Sequence, residues 1–179
     1  MAILVCTSLR PSPRARTFCN DLAAASQLFK YFIRGKYNLT YLAAIARAES
    51  AERIWIVNSR YGEVKTIECY DASKGSPSAM ASFLMRRVAL LREKEGVPQR
   101  RPPLRGIRLM PPGSKDVEGI HSLLRAALGE STIEEGSRFA RTADLHISLG
   151  KGGLAEAFFV DSSSGLPAGP TLFIEDYRC

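Results

Sequence analysis

The sequence predicts a mixed α/β fold, and three observations carry that expectation. Over the first third of the chain, short β-type runs alternate with stretches whose apolar residues recur at helical spacing. From Arg141 onward the chain reads as three consecutive strands separated by glycine turns. Two strand–loop–helix passages, "TSLRPSP" near the start and "MPPGS" from Met110, resemble each other and suggest an internal duplication.

Taken in order, "AILVCTS" (2–8) is a strand that ends in a loop rich in arginine and proline. Ser12 followed by Pro13 is a helix start, with a hydroxyl to cap and a proline for the first turn. Ala15, Phe18, Leu22, Ala25 and Phe29 then share one helical face. "KYFIRGKYN" (30–38) is a brief strand and a turn. Asn38 caps a second helix with an apolar stripe through Leu39, Leu42, Ile45 and Ala46. "RIWIVNS" and "VKTIECYD" form a hairpin through "RYG" at 60–62. For residues 80–93, Met80, Phe83, Leu84, Val88 and Leu91 fit a helix, while a long edge strand fits as well.

"VPQRRPPLR" (97–105) has the composition of a linker, and "GIRLM" after it is a strand. A third helix is expected from Ser114 as its cap to Gly129 as its stop. Glu130, Glu134 and Glu135 mark an acidic loop. The closing strands are "RTADLHISLG", "LAEAFFVDSS" and "GPTLFIEDYR", with turns at "KGG" and "SGLPAG". A second echo, "IVNSRYG" (56–62) against "FVDSSSG" (159–165), joins the first in favouring two similar lobes, approximately 1–75 and 80–179.

The chain has 179 residues and a net charge of +7, unevenly spread. Residues 1–60 carry nine Lys and Arg against three Asp and Glu, whereas residues 111–179 carry six against ten. A basic front with an acidic back suits one face for a polyanion. No apolar run approaches the roughly 18 residues of a membrane span, and no basic segment precedes the opening apolar run, so neither a membrane partner nor a secretory leader is expected. Cys6, Cys19, Cys69 and Cys179 offer no chelating pair, which points to reduced thiols and no metal.

Catalytic patterns are thin. His121 and His146 stand on a helix and a strand among polar neighbours. "GKGG" (150–153) lacks the spacing of a phosphate-wrapping loop and suits a hairpin turn. The anion-binding signals are stronger. Arg10, Arg14 and Arg16 surround a helix start whose free N–H groups and positive dipole end already favour an anion. Lys30, Arg34 and Lys36 are interleaved with Tyr31, Phe32 and Tyr37, placing phosphate-binding charge beside rings able to stack on unpaired bases. The plainer reading puts Phe32 and Ile33 in the core, with the charges facing water.

"TSLRPSPRARTFCNDL" resembles the opening signature of Brix-domain proteins, T-S-R-x-P-S-x-R-x-R-x-F, with Arg14 and Arg16 on matching positions. Leu9 stands where that pattern has its first arginine, and Arg10 follows it. "IRGKYNLTYL" resembles the R-G-K-x-[ST]-L element, with Asn38 in place of the hydroxyl residue, and "GLPAGPTLFIEDYR" resembles the closing strand. The resemblance spans essentially the whole chain as a single Brix-type domain.

It implies a two-lobed α/β fold in which each lobe resembles the anticodon-binding domain of class II aminoacyl-tRNA synthetases, and a strand at 80–93. It also implies a non-catalytic factor of ribosome biogenesis that binds ribosomal RNA, with ribosomal proteins or other assembly factors as further partners and with neither a cofactor nor a small-molecule substrate. The lack of extensions resembles an archaeal, cytoplasmic homologue. A nucleolar location would follow only for a eukaryotic source. The RNA-binding residues expected on this reading are Arg10, Arg14, Arg16, Lys30, Arg34, Lys36 and Tyr37. The competing expectations are an adaptor that docks ribosomal proteins and an RNA-modifying enzyme.

Overall fold

The computed structural model describes residues 2–95, 97, 103–129 and 141–179. Most of the "VPQRRPPLR" stretch, together with Glu130, Glu134, Glu135 and Arg138, lies outside the described residues.

The chain forms strands β1 (Ala2–Thr7), β2 (Phe29–Phe32), β3 (Ala51–Arg60), β4 (Glu63–Asp71), β5 (Ser78–Ala89), β6 (Gly106–Leu109), β7 (Thr142–Leu149), β8 (Ala155–Asp161) and β9 (Pro167–Arg178). Among the described residues three α-helices join them: α1 (Pro13–Ala25), α2 (Leu39–Ala48) and α3 (Glu118–Leu128). All nine strands lie in one mixed sheet, in the order β2-β1-β3-β4-β5-β9-β8-β7-β6. β1 runs parallel to both β2 and β3, and β6 runs parallel to β7. The other pairings are antiparallel.

Every residue of β1 is buried, because a helix covers each of its faces. Ile3 and Val5 pack with Ala15, Phe18 and Leu22 of α1. Ala2, Leu4 and Cys6 pack on the other side with Leu42, Ala43 and Ala46 of α2. Both helices start where the sequence says. The Ser12 hydroxyl accepts the Ala15 N–H at 3.2 Å, and Asn38 Oδ1 accepts the Tyr41 N–H at 2.9 Å. The third start differs. A single 3-10 turn (Lys115–Val117) follows Ser114, whose hydroxyl caps nothing, and α3 begins only at Glu118. Gly129 does end α3, at a φ of +71°.

Residues 78–89 are a strand, so the helical spacing there is misleading. Ala81, Phe83 and Met85 are buried in alternation, and then an irregularity in pairing with β9 near Arg87 shifts the next buried residue to Val88. A bulge turns a period of two into a spacing that imitates a helix.

One apolar cluster runs through the whole sheet, from Ile3 to Ile174. α1 lies so close on β9 that a Cβ at Gly169 would come within 2.9 Å of the Ala25 side chain. Trp55 Nε1 on β3 donates to the Ala127 carbonyl on α3 at 3.0 Å. Each half of the chain thus lends a helix to the strands of the other.

The strand order β1-β3-β4-β5 recurs as β6-β7-β8-β9 with the same parallel-then-antiparallel sense, and β2 is an addition to the first set. The "TSLRPSP" and "MPPGS" loops occupy equivalent places, after β1 and after β6. The other echo does not. "IVNSRYG" turns β3 into β4, whereas "FVDSSSG" turns β8 into β9, so glycine-turn chemistry alone accounts for that likeness.

Candidate nucleic-acid interface

From β1 the chain crosses through α1 to β2 on one side, then through α2 to β3 on the other. That reversal opens a crevice beyond the carboxyl end of β1, the place where open parallel sheets hold ligands. A cleft of about 380 Å³ lies there, lined by Thr7, Ser8, Leu9, Pro11, Arg16, Tyr31, Ile33 and Gly35. Its first wall is the loop between β1 and α1. Ser8 N–H donates to the Val57 carbonyl at 2.9 Å, and Ser12 N–H donates to the Ser59 hydroxyl at 3.1 Å, so β3 holds both ends of that loop. The second wall is the chain leaving β2, which turns at Gly35 with a φ of +57°. Among the described residues no carboxylate lines the cleft.

The expected binding residues separate into two groups. Arg10, Arg16 and Lys36 are exposed and make no ion pair among the described residues, and Arg16 lines the cleft itself. Arg14, Lys30 and Arg34 are engaged by the protein. Arg14 reaches Glu63 at 2.8 Å, the Val88 carbonyl at 2.8 Å and both carboxylate oxygens of Glu93. The hydrogen bond it donates to Glu93 raises the Arg14 pKa further, fixing it as a cation. Lys30 Nζ donates to the carboxylate of Glu49 at 3.0 Å and to its carbonyl at 2.9 Å. Arg34 Nε donates to the Tyr37 carbonyl at 2.9 Å, bracing the turn before α2.

Tyr37 is exposed and sits in a stack. Its ring lies 4.2 Å from that of Tyr41 at an interplanar angle of 23°, and 6.2 Å from Phe32 at 28°. The segment leaving β2 therefore shows different chemistry on its two sides. Tyr31, Ile33 and Gly35 face the cleft, while Phe32 packs toward α2. Ile33 is 76% exposed, so it is not core. Leu9, Ile33 and Tyr41 carry no charge and follow no motif, and only the alternation of faces in a strand hints at Ile33.

Among the described residues, no cysteine or histidine lines the cleft. Cys6, Cys19 and Cys69 are buried free thiols, and burial pushes Cys6 up to about 12. Cys179 is exposed and free. His146 stacks on Phe158, and burial lowers the pKa of His121; neither lines the cleft. "GKGG" forms the turn between β7 and β8.

No family model matches the chain. A protein of Aeropyrum pernix described as a probable Brix domain-containing ribosomal biogenesis protein is 40% identical over 98 residues, which span 53% of this chain and 54% of that relative. A protein of Methanopyrus kandleri with the same description is 27% identical over 141 residues, 73% of each chain. In fold, the crystal structure of a probable ribosomal biogenesis protein from Aeropyrum pernix K1 matches with a TM-score of 0.82 and 29% identity, over 97% of this chain and 94% of that one. The structure of Mil, an archaeal Imp4-like protein, matches with a TM-score of 0.66 over 98% of both chains, at 24% identity. The chain is thus similar to Brix-domain ribosomal biogenesis proteins in sequence over part of its length, and to a ribosomal biogenesis protein in fold over nearly all of it.

Proposed function

We propose that the chain is a non-catalytic, RNA-binding factor of ribosome biogenesis in an archaeal cytoplasm, and that its ligand is ribosomal RNA held at the carboxyl end of β1. One observation carries this reading: Arg16 lines a cleft with no carboxylate among its described lining residues, Arg10 and Lys36 are exposed beside lining residues in the chain, and the neighbouring Arg14 and Lys30 are neutralised. Cations without a partner among the described residues, beside a helix N-terminus, are suited to phosphates. The descriptions of the relatives as ribosomal biogenesis proteins support the same process. The repeated strand order fits two lobes of the anticodon-binding type, sharing one core.

Salt dependence tests the reading. Three phosphate contacts on a single-stranded target give a log–log slope of affinity against salt of about −2, at about −0.7 per contact. Anisotropy titrations of labelled ribosomal RNA fragments should show that slope in the wild type and its near disappearance in an Arg10→Ala, Arg16→Ala, Lys36→Ala triple variant. An unchanged slope in the triple variant removes the site. Association with a ribosomal protein that survives RNase treatment, with no RNA binding, favours the adaptor instead.

A further inference from the structure

We propose that the cleft beyond β1 is a pocket for a single unpaired nucleotide, with the base against Leu9, Pro11 and Ile33 and its phosphate on Arg16. This rests on the RNA-binding reading above and narrows the ligand to looped-out or bulged RNA.

Leu9 is 58% exposed and Ile33 is 76% exposed. They come from two separate segments and border one cleft, so two large aliphatic side chains there are exposed rather than in the core. Half-buried Tyr31 forms a third wall. The volume of about 380 Å³ falls at the small end of ligand pockets, which span about 300–1,000 Å³. Apolar walls beside a guanidinium with no lining carboxylate select a ligand that joins a flat apolar part to an anion. A nucleotide joins both, and Arg10 and Lys36, exposed and next in the chain to lining residues, add charge for neighbouring phosphates. A paired A-form helix keeps its bases stacked inside, whereas an unpaired base is free to swing out. The mouth is open at Gly35, where an added Cβ would meet nothing within 4 Å.

The test uses the full chain and three labelled RNA hairpins that differ at one position. One carries a single bulged nucleotide, one carries an abasic residue in the bulge, and one is fully paired, with each of the four bases tried in the bulge. The expected result is a preference of about tenfold for at least one intact bulge over the abasic and paired hairpins, the size of one base contact. A Leu9→Ala, Ile33→Ala double variant should lose the preference and keep the salt slope, because the three cations remain. Both side chains are exposed, so its thermal melt should match the wild type. If the wild type binds all three hairpins alike with the expected slope, the pocket is overturned while the RNA-binding reading stands. The pocket is likewise overturned if the double variant keeps the preference, or if an acidic peptide occupies the cleft without disturbing RNA. Failure of the wild type to bind any of the hairpins overturns both.

Discussion

The carboxyl ends of β1 and β6 are topological counterparts, yet they present opposite surfaces. β6 has β7 as its neighbour among the described residues, and the one cation on it is neutralised: Arg108 lies opposite Asp144 in the register and bonds both carboxylate oxygens, at 2.9 and 2.6 Å. β1 has a parallel neighbour on each side, because β2 and α2 are inserted before β3. The insertion reverses the chain's direction of travel across the sheet, and with that reversal comes the cleft. Repeated connectivity therefore does not repeat a site. The cleft arises where one extra strand is laid on the far side of β1, and there Arg10, Arg16 and Lys36 make no ion pair among the described residues.

The sharpest way to break the comparison is to separate the halves. Trp55 is 2% exposed, lies 5.2 Å from Phe29 in ring centroids, and bonds α3 through Nε1. Trp55→Ala opens a cavity and strands the Ala127 carbonyl, which should cost about 3–5 kcal/mol. Because the core is shared, urea unfolding followed by circular dichroism should shift as one transition. Two separated transitions would show halves that are stable on their own.

A smaller effect is expected in the acidic half, through pH. Asp161 is buried, which pushes its carboxyl up, but hydrogen bonds from the Ser163 hydroxyl and N–H and from Arg141 outweigh this and hold it at about 2. Its ordinary value is 3.8. A depressed carboxyl stabilises the fold fully above its unfolded value and loses that contribution as pH falls through the folded value. Asp161 should thus contribute about 2 kcal/mol at neutral pH, fading between pH 3.8 and about 2. Thermal melts of Asp161→Asn against the wild type should show a gap at pH 6 that closes in this window. A gap that stays constant down to pH 2 would remove the charge from the account.

Much of this molecule is legible in the sequence, and the exceptions share a cause. The caps Ser12 and Asn38 act on residues three positions away, and local chemistry of that kind can be read directly. The strand at β5 is obscured because a bulge disturbs its alternation near Arg87. At the site, the basic cluster itself is plain in "TSLRPSPRAR", but the sorting of its members is not. Arg14 finds its carboxylates 49 and 79 residues further along the chain, a distance at which no motif speaks. The cleft walls Leu9 and Ile33 become visible only once β2 is placed beside β1.

That sorting of arginines yields the smallest and most specific effect. Arg14 and Arg16 are two residues apart, and the basic pattern treats them alike. Arg14 ties α1 to Glu63 and to Glu93 beyond β5, with its side chain 25% exposed, whereas Arg16 is exposed beside the cleft. Arg14→Ala should therefore cost about 1 kcal/mol of stability, given the partial exposure of both carboxylates, and leave the RNA salt slope unchanged. It should also alter the acid limb. The hydrogen bond from Arg14 is the main cause holding the Glu93 carboxyl below its ordinary 4.5, so this pair stabilises the fold above that pH and fades as pH falls through the lower folded value. In Arg14→Ala the fade should shrink. Arg16→Ala should do the reverse, leaving melts at pH 6 and pH 4 as in the wild type while flattening the salt slope by about 0.7. Paired melts and salt titrations of the two variants decide it: if Arg14→Ala flattens the slope as much as Arg16→Ala, the ion pairs of Arg14 open to admit phosphate, and the division between structural and binding arginines fails.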